Sequence, residues 1–226
     1  MRYQTMQAST YSAKEKIIDE AMEETFPNSD PPAWTLGRDG LAFAHLRDTE
    51  DALSALLVED HLLIRKVMAM LSQVIQKIES GQSDHLLQKL QPLIASYSEF
   101  VDDFHERNEE VLLPLLKGDS LSDYLVADLK NEYALGSRLL SHLNDVLKQS
   151  HSDFGANKEK ILLLMKEIRV VHVNHNAKEE SYVLPLINKL LDENQKKMVL
   201  IRLRNGKDEK YQDLCQKIIS LLNQMG

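Results

Sequence analysis

Two stretches of the chain are near copies of one another. His105-Glu-Arg-Asn-Glu109-Glu110 runs on to Leu113-Pro114-Leu115, and His175-Asn-Ala-Lys-Glu179-Glu180 runs on to Leu184-Pro185-Leu186. An imidazole followed four residues later by a carboxylate projects both groups from one face of a helix toward a common point. A single such pair arises by chance in many helices. Two of them, each leading into Leu-Pro-Leu, require two helices that turn the same polar face toward a shared interior.

The rest of the chain supplies the helices. With only 8 Gly and 6 Pro, and long stretches free of turn residues, it reads as all-α. A first helix over 49–80 carries Leu53, Leu57, His61, Ile64, Met68, Leu71 and Ile75 on one stripe. The second, ending near 116, aligns Leu90, Ile94, Tyr97, Val101, His105, Glu109 and Leu112, with Pro92 at its start or at a kink. A third over 121–149 offers Val126, Leu129, Tyr133, Gly136, Leu140, Leu143 and Leu147. The fourth, over 157–191, offers Ile161, Leu164, Ile168, Val171, His175, Glu179, Tyr182 and Leu186. Short loops around Gly81, Gly118 and Gly155 make consecutive helices antiparallel, which predicts an up-down-up-down four-helix bundle over 46–192.

Two appendages flank this bundle. Residues 1–45 form a leader in which Ser12 and Glu15 make a capping box for a short helix to about Thr25. The Pro-rich run from Phe26 to Trp34 is then extended, and Trp34 either anchors on the bundle or belongs to a mobile tail. After Asp192, which can cap a further helix to about Leu203, residues 193–226 form a C-terminal helical extension that packs on the bundle.

A shift of about seventy residues lays the first two helices over the last two. His175 falls on His105, Glu179 on Glu109, and Tyr133 beside His61. Three imidazoles and two carboxylates on inner stripes cost several kcal/mol each if left charged and unpaired in a dry core. Those stripes hold no Lys or Arg to neutralise them. A pair of cations does so and deprotonates each ligand on binding. Imidazole and carboxylate donors without thiolates suit iron, manganese or zinc, and a two-metal site with bridging carboxylates favours iron.

Charge and cysteine use bound the rest. The net charge of -8 argues against nucleic acid or an anionic membrane as partner. There is no apolar run of about 18 residues and nothing resembling a signal peptide, and Cys215 stands alone, so the expected location is cytoplasmic. Cys215 reads as a small buried hydrophobe rather than a nucleophile.

The order His61, His105xxxGlu109, Tyr133, His175xxxGlu179 resembles the hemerythrin-like HHE cation-binding domain over roughly residues 50–190. That resemblance implies a four-helix bundle around a non-haem, oxo- or hydroxo-bridged pair of iron ions that binds or reacts with dioxygen, peroxide or nitric oxide. Carried over, His61 and His105 hold one iron, Tyr133 and His175 the other, and Glu109 and Glu179 bridge. The departure is Tyr133, where most members place histidine, and Ser137, where the oxygen carriers add another. A phenolate stabilises the ferric state, which disfavours reversible dioxygen carriage and leaves redox defence or sensing.

Around these candidates, His172 is either a supplementary ligand, a residue behind the ligands or exposed. Glu106, Glu110, Glu132 and Glu180 flank the ligands; His45, His85, His142 and His151 belong to the surface; and Gly136 leaves space for a small ligand. Whether the chain is an enzyme is not legible, nor is its oligomeric state. The competing functions are a di-iron protein acting on a small oxidant, a non-enzymatic iron-handling or sensing module, and a metal-free helical interaction domain.

Overall fold

The computed structural model describes residues 49–82, 86–116, 120–150 and 154–225, all of them in helices or the short turns between them. The leader helix, the Pro-rich segment, Trp34 and the surface positions of His45, His85 and His151 lie outside the described residues. Helix α1 is Thr49–Glu79. Helix α2 is built from Leu86–Phe100, a π turn at Val101–His105, Glu106–Leu112 and a tighter 3-10 turn at Leu113–Leu116. Helix α3 is Ser120–Gln149. Helix α4 joins Phe154–Lys178, a second π turn at Glu179–Val183 and Leu184–Leu190. Helices α5 (Glu193–Gly206) and α6 (Glu209–Met225) follow.

Neighbour packing is that of an up-down-up-down bundle, with α3 against α4, α1 against α4 and α2 against α3. The α5–α6 pair lies along α1 and α2. Gly155, expected in a loop, is already inside α4, and α2 begins six residues ahead of Pro92, which sits in its interior.

The inner stripes of α1 and α2 are buried at every position read from the sequence. Two apolar blocks result. Leu53, Leu57, Leu112, Leu129 and Ile187 belong to one packed cluster, and on the other side of the histidines in sequence Met68, Leu71, Ile94, Leu140, Leu143 and Ile168 are each buried. The histidines and carboxylates form a polar layer between them in sequence, and each block removes water from one side of it.

Two of the local departures from α-helix lie at or next to a proline. Pro185 has no N–H to return to the carbonyl four residues back, and the π turn ends two residues before it. The extra residue in that turn rotates the following face by one position. Tyr182, expected on the inner stripe, is therefore 58% exposed, and Val183 takes its place at 1%. Pro114 sits in the 3-10 turn at the corresponding end of α2.

The extension is fastened to α1 chiefly by Lys207, whose side chain is 11% exposed. Lys207 Nζ donates to Leu56 O at 2.9 Å, Glu59 Oε2 at 2.8 Å and Asp60 Oδ1 at 2.8 Å. Tyr211 Oη donates to the same Asp60 oxygen at 2.6 Å, and Asn108 Nδ2 donates to Asp60 Oδ2 at 2.7 Å. Asp192 starts α5 with a complete capping box to Gln195. Removing Lys207 leaves the wholly buried Asp60 carboxylate without its counter-charge, so Lys207→Met is expected to cost about 3–5 kcal/mol in urea unfolding. Adding Asp60→Asn is expected to recover a large part of that loss.

Candidate metal centre

The two duplicated segments meet. One ligand-type atom from each of His105, Glu109, His175 and Glu179 lies within 4.8 Å of the others, and all four residues are buried. His61 joins from α1, its Nε2 at 2.9 Å from Glu179 Oε2. That same oxygen lies 3.6 Å from His105 Nε2 and 3.7 Å from His175 Nε2. Glu109 Oε1 is 3.0 Å from His175 Nε2 and 3.5 Å from His105 Nε2. Three imidazole nitrogens thus point their Nε2 atoms at two carboxylate oxygens.

A second ring of groups aims these imidazoles. His61 Nδ1 lies 2.7 Å from Glu180 Oε1, and Arg65 donates to that same oxygen. His175 Nδ1 lies 3.7 Å from Glu132 Oε2, whose other oxygen accepts from Lys178 Nζ at 2.7 Å. Lys178 also donates to Asp128. At His61 this chain of imidazole, outer carboxylate and cation is hydrogen-bonded, the arrangement that fixes ring orientation and tautomer for metal binding, whereas His175 Nδ1 and Glu132 Oε2 stay beyond hydrogen-bond distance.

His105 differs from its neighbours. Neither of its ring nitrogens has a hydrogen-bond partner among the described residues, although the side chain is buried. A buried polar atom left unsatisfied costs about 1–3 kcal/mol, so two on one ring call for a partner that protein atoms do not supply. A cation among the four donors is such a partner for Nε2, the nitrogen that faces the carboxylates, and the donor set suits a borderline metal such as iron, manganese or zinc.

Protonation follows from burial and charge together. Burial lowers the His61 pKa, but the bonds and charges of Glu179 and Glu180 outweigh it and raise it to about 9. His175 goes the same way, with burial overcome by Glu109 and Glu132 to give about 10. Burial dominates at His105 and brings it down to about 4. Burial and the nearby Glu179 charge hold the Glu109 carboxyl above the usual range, whereas the surrounding imidazoles, overcoming burial, hold Glu179 below it.

Other candidates fall elsewhere. Tyr133 is engaged by a carboxylate of α2. Its hydroxyl donates to Asp102 Oδ1 at 2.9 Å, and burial with the Glu106 and Asp102 carboxylates keeps it firmly protonated. Asp102 is carried by the π turn of α2. The space expected beside Gly136 is taken by a ring edge: a Cβ on Gly136 would stand 3.1 Å from His172 Nε2. Glu110 and His142 are exposed and Glu106 half-buried. Cys215 is half-buried, its thiol pushed up by burial to about 12.

Three supporting residues escaped sequence reading. Asp60 and Asn108 each precede a cluster residue, His61 and Glu109, and their mutual hydrogen bond is closed by Lys207 from the far end of the chain. A buried acid on α1 beside the His61 stripe is a signal in principle, yet its partner lies 147 positions away.

A family model described as the hemerythrin HHE cation-binding domain matches residues 52–187. The chain belongs to the hemerythrin HHE cation-binding family. The matched span runs from the start of α1 into the last segment of α4, so this hemerythrin-type bundle contains every residue of the cluster. No curated protein and no solved structure matches the chain.

Metal and protons compete for the same atoms. His61 and His175 hold protons at neutral pH in the metal-free chain, and a bound cation displaces both. Adding zinc or ferrous ion at about pH 7 is expected to release about two protons per chain, read with an indicator dye. The sign is fixed: apparent affinity rises with pH between about 6 and about 8, and an affinity flat over that window contradicts charged imidazoles in the free site.

Proposed function

We propose that the chain is a non-haem di-iron protein, in which His61 and His105 hold one metal, His175 the other, and Glu109 and Glu179 lie between them. The observation that carries this reading is His105, a buried imidazole with neither nitrogen satisfied, facing both carboxylates. A cluster wired only to itself has no reason to leave that ring unpaired, which weighs against a metal-free interaction domain.

Iron bound there supplies the redox chemistry by which a small oxidant such as dioxygen, peroxide or nitric oxide is bound or reduced. The chain's own part is placement and exclusion. Glu180 holds the His61 ring, Glu132 places its charge beside His175, and the apolar cluster around Leu53, Leu112 and Ile187 keeps bulk water from one end. The bundle over 46–192 is the working unit, with 193–226 bracing it. Among the described residues no helix is long and apolar enough to cross a membrane. The lone cysteine fits a reducing, cytoplasmic setting.

A second reading, an iron-handling or sensing module, is favoured by the Lys207–Asp60–Asn108 link, which ties the terminal helices to the segments bearing His61 and Glu109. Metal occupancy is then felt in α5 and α6.

Elemental analysis of protein purified without chelators is expected to give about two irons per chain, and Glu109→Ala with Glu179→Ala to abolish them. Absence of metal, together with a melting temperature unmoved by ferrous iron, contradicts the proposal. Tyr133→Phe is expected to leave the metal count and the visible spectrum unchanged, since its hydroxyl belongs to Asp102. Loss of a visible band in that variant assigns the phenol to the metal instead.

A further inference from the structure

The two halves of the centre are not equally furnished. His61 Nδ1 lies 2.7 Å from Glu180 Oε1, Arg65 donates to that same oxygen, and His61 Nε2 faces Glu179 Oε2 at 2.9 Å. In the neutral ring that a metal requires, Nδ1 carries the hydrogen toward Glu180 and Nε2 offers its lone pair to the cluster. The His61 ring is thus aimed before any ion arrives.

At His175 the matching contact is open. Its Nδ1 stands 3.7 Å from Glu132 Oε2, and both atoms are without a hydrogen-bond partner among the described residues. Lys178 donates to the other Glu132 oxygen at 2.7 Å and also to Asp128. The hydrogen bond that does hold the ring joins Nε2 to Glu109 Oε1 at 3.0 Å, and Nε2 is the nitrogen a metal claims. On binding, His175 gives up that bond, whereas His61 keeps its bond to Glu180.

Donor number and charge point the same way. With His105 assigned beside His61, whose ring centroid is 5.4 Å away against 6.1 Å for His175, one position has two imidazoles and the other has one. The inner carboxylates Glu109 and Glu179 carry two negative charges between them, while Arg65 stands against Glu180 and Lys178 against Glu132. One divalent ion matches the inner pair. A second ion then enters a buried site against the charge of the first.

We propose that the centre loads in two unequal steps, the first ion settling beside His61 and His105, and that Glu180, held by Arg65, is the positioning residue that sets the first step. This rests on the metal reading of the same site and adds to it an order of filling and the residue that decides it. Glu180 acts through the His61 ring and is no metal ligand. Glu132, which leaves His175 unanchored, has no such part in the first step.

The test is anaerobic titration of cobalt(II) into the metal-free full-length chain, followed by calorimetry and visible absorption. Wild type is expected to bind in two steps at least about 10-fold apart in affinity. Glu180→Ala is expected to weaken the first step about 10- to 100-fold, bringing it toward an unmoved second step, as for loss of a group that orients a ligand. Glu180→Gln, which keeps an acceptor oxygen, is expected to recover part of that loss. Glu132→Ala is expected to leave the first step unchanged, and His175→Ala to retain the first step while losing the second. Two equal steps in wild type overturn the proposal. So does a Glu180→Ala protein whose first step is unchanged, or whose two steps weaken alike, the mark of a purely structural role. Wild-type protein that binds no cobalt defeats the metal reading itself, a result distinct from these.

Discussion

Two carboxylates shut away from bulk solvent sit at the centre of this bundle, and the rest of the molecule is arranged around them. Glu179 Oε2 has three imidazole Nε2 atoms between 2.9 and 3.7 Å, and Glu109 Oε1 has two. Charge then alternates outward. Beyond the imidazoles come Glu180 and Glu132, and beyond those Arg65 and Lys178 toward the surface. Each layer answers the one inside it, because buried charge is stable only when it is paired and bonded. Among the described residues that pairing is incomplete at His175 Nδ1 and Glu132 Oε2, and His105 has neither ring nitrogen bonded.

The backbone pays attention to the same spot. Both π turns abut an HxxxE segment, one ending at His105 and one beginning at Glu179. An inserted residue moves every later side chain by one position around the helix. On α4 this buries Val183 and keeps the hydrophobic seam closed past the cluster, while on α2 the turn also carries Asp102, the partner of Tyr133. π turns recur at functional sites for this reason: they re-aim side chains without breaking the helix.

Much of this was legible in the residues. The stripes of α1 and α2, the all-α fold and the convergence of the duplicated pairs follow from helical period alone, because burial repeats with it. What escaped was whatever depends on departures from that period or on distant parts of the chain. Tyr182 was read one position out because the π turn before Pro185 is invisible to a fixed 3.6-residue count. The hydrogen bond from Tyr133 to Asp102 joins α3 to α2, and no local pattern announces it. Gly136 read as an opening; it is the socket for His172, and only the ring across the seam reveals that. The Lys207–Asp60 contact joins α1 to the α5–α6 junction, a pairing no local pattern encodes.

The central claim is that cations occupy the space among Glu109, Glu179 and the three imidazoles. Anomalous diffraction at the iron edge, on crystals of protein isolated without chelators, addresses it directly. The account expects two peaks inside the bundle, one beside His61 and His105 and one beside His175, each in contact with Glu109 or Glu179. Crystals that show no anomalous density there, with His105 bonded instead to protein or water, contradict it.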